Sequence, residues 1–439
     1  MANVKPLKGI LYNTDKIDLA KVVTPPYDVI SQDQQESYYN IHENNIIRLI
    51  LGKNEPGDNE SNNRYIIASQ LFNLWMNEKV LIQDEDSSFY FTAMDYSING
   101  KSMTRYGIIA RVGLEKFESG VVKPHEKTFS KTISDRLKLM QQCHTNFSPI
   151  FSLFSDTNNE ILNIFLNASK GIKPDMEIVD ERDHGHRVWR IKDSQVKQKI
   201  INEFDKKNLF IADGHHRYST ALEYLEWLED KNGKLPDDHP AKYIMMYLTG
   251  MEDPGLIILP AHRKVTNVNE SITSSFLNKA EEFFNIKKFP FNEDNKNEIL
   301  HNVVHMLSKQ NESQTIFTFI KGTGEFVLLT LKPDSNDKLS YIEEPLRNLD
   351  VTLITRVIFE KIIGFSQEDL DNEEQITYTS NINQAISEVD NGNCTMAFLL
   401  NPTKIEQVRE VANAGLIMPR KSTYFYPKVI TGLVINSLK

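Results

Sequence analysis

Residues 209–228 constrain the fold of this chain more than any other stretch. Residues 209–212 are a short apolar run typical of a buried strand, and Asp213 and Gly214 follow directly. Beyond them, apolar residues recur at the spacing of one helical face, at Tyr218, Ala221, Leu222, Leu225 and Leu228. Because glycine permits a sharp turn, the sequence predicts a strand, a tight turn and a helix in immediate succession.

The turn carries an unusual set of polar residues. Where a strand ends and a helix begins, unpaired N–H groups and the positive end of the helix dipole favour an anion. His215 and His216 add groups that move protons, and Arg217 adds a bidentate fork for phosphate. We predict that Gly214, His215, His216 and Arg217 bind phosphate or a nucleotide. Asp213, His215 and His216 are also catalytic candidates, with Asp213 as a Mg²⁺ ligand or a base.

A purely structural interpretation of this turn is the alternative. In it, Asp213 caps the helix, Arg217 is a solvated charge of the first turn, and the histidines fill an interface. Thr220 and Glu223 have the spacing of a capping box, which would place the start of the helix later than His215.

Residues 123–128 form a second polar cluster, and they precede a predicted helix that begins near Ser134 and Asp135. We predict that Glu126 is a general base and that His125, Lys127 and Arg136 bind phosphate. A solvated charged loop is the competing interpretation.

Two further histidine motifs are less specific. His262 and Arg263 follow a predicted strand at residues 256–259, and they are predicted phosphate ligands unless they are an ordinary strand end. Residues 184–187 contain two histidines, which suggests a metal site, but a flexible polar turn before a strand at 188–191 is the favoured interpretation.

The remaining periodicities indicate an α+β protein. We expect a catalytic region over residues 1–265 and a C-terminal α/β region over residues 266–439, whose aromatic tail at 421–428 completes or supports the site. Asn99-Gly100 predicts a hairpin turn between two strands. The other predicted elements are a helix at 63–80, strands at 89–94, 106–112, 149–154 and 243–248, helices at 272–284 and 295–308, a strand pair at 315–321 and 325–331, and a helix at 402–414.

Composition excludes several classes of function. The net charge of −10 over 439 residues opposes the basic surface that nucleic acids require, so no nucleic-acid partner is expected. Cys143 and Cys394 lie far apart in unlike contexts, which argues against a disulfide framework and a cysteine-only zinc site. Neither a secretion signal nor a membrane span is recognisable, so we expect a cytoplasmic protein without a membrane partner.

Several ordered motifs together resemble domain-of-unknown-function family 1015, and the resemblance runs over nearly the whole chain. The motifs occupy residues 24–29, 125–126, 135–137, 146–150, 213–218, 259–263 and 421–425. The Asp-Gly-His-His-Arg turn at residues 213–217 is similar to that of the ParB/sulfiredoxin-like superfamily, which includes nucleotide-dependent free serine kinases.

The resemblance implies a ParB/sulfiredoxin-like catalytic region and a phosphotransferase. Its substrates would be serine or phosphoserine and ATP or ADP, with Mg²⁺. In the free serine kinases this turn meets the nucleotide phosphates and a separate glutamate activates the serine hydroxyl; we assign that role to Glu126 from its loop. His215 stands where sulfiredoxin has its cysteine, so sulfinic acid reduction is not expected.

The direction of phosphoryl transfer and the oligomeric state stay open at this level. A metal-dependent phosphoserine phosphatase, with His215 or His216 as nucleophile or ligand, is one alternative. A ParB-like module that binds a nucleotide for regulation is the other.

Overall fold

The computed structural model describes residues 1–309 and 314–439, and these form two compact units. The first unit contains Met1–Ile257 and Pro427–Lys439, and the second contains Ile258–Tyr426. The chain therefore leaves the first unit and returns to it. The domain limits proposed from the sequence, 1–265 and 266–439, stay a prediction.

The first unit combines seven helices with a large sheet among its described residues. Its helices are α1 (Gln32–Ile41), α2 (Ile47–Ile50), α3 (Arg64–Asn77), α4 (Ser130–Cys143), α5 (Glu160–Ser169), α6 (Ser194–Phe204) and α7 (His215–Asn232). Its strands up to Gly250 are β1 (Val4–Lys5), β2 (Ile10–Tyr12), β3 (Leu81–Gln83), β4 (Phe89–Ile98), β5 (Lys101–Gly113), β6 (Val122–Lys123), β7 (Thr145–Asn146), β8 (Ile150–Phe154), β9 (Met176–Val179), β10 (Gly185–Ile191), β11 (Leu209–Asp213) and β12 (Tyr243–Gly250).

The second unit follows from the short strand β13 (Ile257–Leu259). Its further strands are β14 (His262–Val265), β15 (Phe284–Pro290), β16 (Thr315–Ile320), β17 (Glu325–Leu331), β18 (Ile376–Thr379), β19 (Met396–Leu399) and β20 (Tyr424–Tyr426). Its helices are α8 (Glu270–Ala280), α9 (Lys296–Lys309), α10 (Ser335–Lys338), α11 (Glu344–Arg347), α12 (Asp350–Leu353), which continues as a π-helical stretch (Ile354–Ile363), α13 (Gln367–Asp371), α14 (Ile382–Asp390) and α15 (Ile405–Asn413). Back in the first unit, β21 (Asn436–Ser437) pairs with β7.

Each unit is built around one sheet. In the first, the strand order is β6-β11-β8-β12-β5-β4-β10-β9, with β1 added on β5. The pairs β6·β11 and β8·β12 are parallel, and the others are antiparallel. In the second, the order is β15-β17-β16-β19-β14-β18, and every pair is antiparallel. The predicted α+β class is confirmed.

Alternation along the central strands builds the core of the first unit. Ile108, Ala110 and Val112 of β5 and alternate residues of β12 face one side of the sheet, where they meet Tyr218, Ala221 and Tyr224 of α7. This explains the helical spacing of apolar residues after Gly214, because that face of α7 covers the sheet. The sheet thereby fixes the start of α7 at the end of β11.

Several local predictions are confirmed. Asn99 and Gly100 have φ values of 49° and 75°, as a two-residue hairpin turn requires, and they join β4 to β5. The helix predicted at 63–80 is α3, the strand pair predicted at 315–331 is β16 and β17, and the helix predicted at 402–414 is α15.

Cys143 and Cys394 are buried and form no disulfide. In the described residues no helix has both the length and the apolar composition that a membrane crossing needs.

Four local expectations are wrong, and tertiary pairing is the main reason. The polar cluster at residues 123–128 begins in a strand, β6, which forms because Val122 pairs with Leu209 of β11, and α4 begins at Ser130 rather than near Ser134. His186 lies in β10, paired with β4, instead of in a flexible turn. His262 and Arg263 do follow a strand, β13, as expected, and they also begin a further strand, β14, which pairs with β18 and β19. Helix α7 begins at His215, so no later capping box sets its start.

Candidate functional site

The predicted turn between β11 and α7 has the conformation that its glycine suggests. Gly214 has a φ of 96°, in the left-handed region, and precedes an 18-residue helix without a side-chain cap. A Cβ on Gly214 would lie 2.9 Å from the Arg217 guanidinium carbon, so both the backbone and the close approach of Arg217 require glycine. The first N–H groups of α7 thus open toward the turn, which is the geometry of an anion site.

Asp213 lies between two cations. Its two carboxylate oxygens accept hydrogen bonds from Arg217 and from the Lys428 ammonium, and all three side chains are largely buried. Arg217 also donates to the backbone carbonyl of Pro149. Burial alone raises the pKa of Asp213, but Lys428 and Arg217 outweigh it and hold that pKa well below its usual range. Asp213 is therefore a carboxylate that connects Arg217 of the helix start to Lys428 of the returning segment.

His215 connects the helix start to the segment at 125–126. The backbone N–H of His125 donates to Nε2 of His215 over 3.2 Å, so that nitrogen is unprotonated and Nδ1 carries the proton. Nδ1 lies 3.9 Å from a carboxylate oxygen of Glu126, and the two histidine rings meet edge to face at 4.7 Å. Burial lowers the pKa of His125 to about 4 and the pKa of His215 well below its ordinary value. Both histidines are consequently neutral at neutral pH.

His216 fastens the same segment one residue further on. Its Nε2 accepts the backbone N–H of Phe129 over 3.0 Å, and its ring stacks on the Phe129 ring. Lys127, between these attachment points, is exposed. The segment at 125–129 is thus held against α7 through both predicted histidines, with Glu126 and Lys127 toward its more open side.

Arg136 lies at a small cavity that it shares with Arg217. The cavity, of about 50 Å³, is also lined by Tyr27 and Ser148. Arg136 pairs with Asp135, donates to the carbonyl of Ile50 over 2.6 Å, and stands 4.2 Å from the centre of the Tyr27 ring. Burial raises the pKa of Tyr27 to about 12. Its phenol is therefore neutral beside two arginines.

His262 and Arg263 belong to the second unit and are buried in it. His262 Nδ1 accepts the N–H of Leu400 over 3.2 Å, and Arg263 donates to the carbonyls of Ala261 and Lys421. Burial, with Arg263 beside it, lowers the pKa of His262 to about 4; burial lowers the pKa of Arg263 to about 10. Their predicted role in phosphate binding stays a prediction.

The residues at Asp213 do not fit a resident Mg²⁺. Mg²⁺ needs oxygen ligands free of competing cations, and both oxygens of Asp213 already contact an ammonium or a guanidinium. Within residues 1–309 and 314–439, no three His, Cys, Asp or Glu side chains are grouped closely enough to hold a metal ion.

Sequence reasoning missed two members of this arrangement. Lys428 is 215 residues from Asp213, and only the aromatic character of its neighbourhood suggested that the tail supports the site. Tyr27 belongs to the motif at residues 24–29, and nothing in that motif indicated its contact with Arg136. Those that the structure does bring together at the turn are His125, Glu126, Asp213, Gly214, His215, His216 and Arg217.

Comparison with solved structures finds distant similarities. A conserved hypothetical protein from Pyrococcus furiosus is 11% identical with a TM-score of 0.32, covering 74% of this chain and 95% of that one. A free serine kinase in complex with AMP is 10% identical with a TM-score of 0.34, covering 74% and 92%. SbnI with a C-terminal truncation, from Staphylococcus aureus, is 10% identical with a TM-score of 0.36, covering 75% and 89%. Similarity at this level carries no argument about activity.

A search of curated protein sequences finds no significant match. A family model, in contrast, covers most of the sequence: the model described as protein of unknown function, DUF1015, matches residues 4–352. The resemblance expected from the ordered motifs is confirmed. The chain belongs to the DUF1015 family.

Proposed function

We propose that the first unit transfers a phosphoryl group between an adenine nucleotide and the hydroxyl group of serine, with Glu126 as the general base. One observation carries the proposal. The Glu126 carboxylate faces the Nδ1 of a neutral, buried His215 at the uncapped start of α7. This supports the proposal, because phosphoryl transfer to a hydroxyl requires a base beside a site for the phosphate, and the helix start would supply that site.

His215 is proposed as a positioning residue for that base. Because its Nε2 accepts the His125 N–H, its Nδ1–H can only donate, and Glu126 is the acceptor that it faces. In this proposal His215, at 3.9 Å, helps to position the Glu126 carboxylate, and that carboxylate accepts the proton of the substrate hydroxyl. The side chain of Glu126 is 27% exposed, so a small substrate can reach it.

The helix start is proposed as the phosphate site. Backbone N–H groups of His215 and His216 would meet the transferring phosphoryl group, whose negative charge the N-terminus of α7 stabilises. Arg217 already pairs with Asp213, so it would contact phosphate only while it keeps that pair. Its main proposed role is to hold the turn through its hydrogen bond to the Pro149 carbonyl. Lys127 and Arg136 are the proposed further cations, and Mg²⁺ would enter with the nucleotide phosphates rather than reside on Asp213.

A single incubation separates the candidate activities. The pure protein is given O-phosphoserine and Mg²⁺ with and without ADP, and serine, inorganic phosphate and ATP are measured; a parallel sample receives serine and ATP. We expect ATP only when ADP is present, or phosphoserine in the parallel sample. Release of phosphate without ADP would indicate a phosphatase instead. Nucleotide binding without any turnover would indicate a regulatory module.

The role of Glu126 is tested by Glu126→Gln, which keeps the shape and loses the base. Turnover should fall by about 10² to 10⁴, with nucleotide affinity and thermal stability close to those of the parent. Glu118→Gln is the matched control, because Glu118 is an exposed glutamate of the preceding loop. If Glu126→Gln stays active while Asp213→Asn loses turnover but keeps binding and stability, Asp213 is the base.

A further inference from the structure

A second cavity of the first unit lies beside Lys428 and contains groups that the proposed chemistry does not use. It has a volume of about 50 Å³, enough for several water molecules or the polar end of a small ligand. Residues 20–25, the helix α1, the loop at 180–184 and the segment at 427–430 all contribute to its wall.

Asp180 organises the loop on one side of this cavity. One of its oxygens accepts the backbone N–H groups of Arg182 and His184, at 2.9 and 3.0 Å, and the other accepts Nε2 of His186 at 2.9 Å. Burial raises the pKa of Asp180, but the hydrogen bonds from His184 and His186 outweigh it and hold that pKa well below its usual range. The histidine motif at 184–187 thus binds the Asp180 carboxylate. Through these hydrogen bonds Asp180 holds the loop that carries Glu181 and Arg182.

The charges around the cavity are mixed. Glu181, which accepts the hydroxyl of Tyr38, and Arg182 are exposed at its mouth. Lys428 lines its buried side, and this lysine is the one that contacts Asp213 at the turn. Burial is the main cause of the lowered pKa values of His125 and His215, and the charge of Lys428 lowers both further.

We propose that this cavity binds a small zwitterion, the amino acid whose hydroxyl the first unit phosphorylates or dephosphorylates; the inference rests on the proposed function. Glu181 receives the ammonium group and Arg182 the carboxylate, while the rest of the molecule extends toward Lys428. Glu181 would repel a simple anion at the mouth of the cavity. Arg182 at the mouth and Lys428 inside would repel a simple cation. Only a ligand with both charges can form a charge-assisted hydrogen bond with each of these two exposed side chains, and such bonds are stronger than those between neutral groups.

Ligand analogues test the zwitterion directly. Binding of L-serine, O-phospho-L-serine, ethanolamine and D-glycerate to the full chain is measured by calorimetry. Ethanolamine lacks the carboxylate and D-glycerate lacks the ammonium, so each should bind at least about tenfold more weakly than L-serine. Equal binding of D-glycerate and L-serine would show a plain anion site, and no binding of either serine compound would leave the cavity without its ligand; both results overturn the proposal.

Two variants assign the charges. Glu181→Gln keeps an acceptor for Tyr38 and should erase the preference for L-serine over D-glycerate, while Arg182→Gln should erase the preference over ethanolamine. Arg409→Gln, in α15 of the second unit, is the matched control and should leave all four affinities unchanged. If both cavity variants keep the parent's preferences, the charges do not contact the ligand and the proposal is wrong.

The same variants separate this inference from the proposed function. Turnover with a parental KM for serine in Glu181→Gln and Arg182→Gln would uphold the phosphotransferase and reject the cavity. The expected pattern of analogue binding without turnover of any nucleotide would uphold the cavity and reject the phosphotransferase.

Discussion

Arg217 and Arg263 are both buried and both adjoin a histidine in the sequence, but their surroundings differ. Arg217, at the start of α7, pairs with Asp213, which also holds Lys428. Arg263, at the start of β14, donates to two backbone carbonyls and stands 5.5 Å from the centre of the Tyr378 ring. Among the described residues no carboxylate pairs with Arg263, and burial lowers its pKa to about 10. Similar residue types thus form an ion-pair network in one unit and a solitary buried charge in the other.

The difference predicts unequal losses of stability when the charge is removed. Arg217→Met leaves Asp213 buried with a single cation, which should lower the free energy of unfolding of the first unit by about 3 to 5 kcal/mol. Arg263→Met removes a charge that has no counter-ion, so the loss in the second unit should be at most about 1 to 2 kcal/mol. Hydrogen exchange of amides in β12 and in β19 reports each unit separately. Equal losses of stability in the two variants would mean that the ion pair with Asp213 does not distinguish Arg217 from Arg263.

The buried histidines should make the stability of each unit depend on pH. The unfolded chain takes up a proton on histidine near pH 6.5, whereas the folded pKa of His262 is about 4. Between these values the unfolded state binds more protons, so stability is fully present above pH 6.5 and is lost as the pH falls toward 4. At pH 5 the loss should be about 2 kcal/mol for this residue.

His262→Asn is the test, since its side-chain oxygen can still accept the N–H of Leu400. The pH dependence of the second unit between pH 7 and 5 should flatten in this variant. That of the first unit, where burial similarly lowers the pKa of His125 to about 4, should persist. An unchanged slope in the second unit would mean that His262 is charged in the folded protein.

The smallest predicted change in stability concerns the two glycines at the ends of α7. Gly214 precedes the helix and Gly233 follows it. Gly214 and Gly233 have φ values of 96° and 78°, but a Cβ would meet Arg217 at Gly214 and nothing within 4 Å at Gly233. Alanine strains the backbone at both. Gly214→Ala should therefore be less stable than Gly233→Ala by about 1 kcal/mol, the cost of displacing the guanidinium. Thermal unfolding of the pair measures the difference; identical shifts would show that Arg217 yields freely.

Local patterns predicted the elements whose information is local. The Asn99-Gly100 hairpin and the strand, glycine and helix over residues 209–232 depend on neighbours in sequence, and the structure contains both. Strands β6 and β14 escaped prediction because their pairing partners supply most of the reason for their extended form. Among the site residues, His125, Glu126 and the turn could be named in advance from residue type. The ion pair between Lys428 and Asp213 could not be predicted, because no periodicity of the sequence links residues that lie so far apart in the chain.

The separation of Lys428 from Asp213 also has a consequence for how the protein is made. Synthesis proceeds from the N-terminus at about 5 to 20 residues per second, so the 215 residues between the two partners take roughly 10 to 40 s to emerge. Throughout that interval the nascent first unit has Arg217 but lacks the second counter-ion of its buried aspartate, while all of Ile258–Tyr426 is being translated. The strand and helix of the turn are thus synthesised well before the lysine that completes the ion pair at Asp213, so a nascent chain arrested before Lys428 should contain this aspartate with Arg217 as its only cationic partner from the pair.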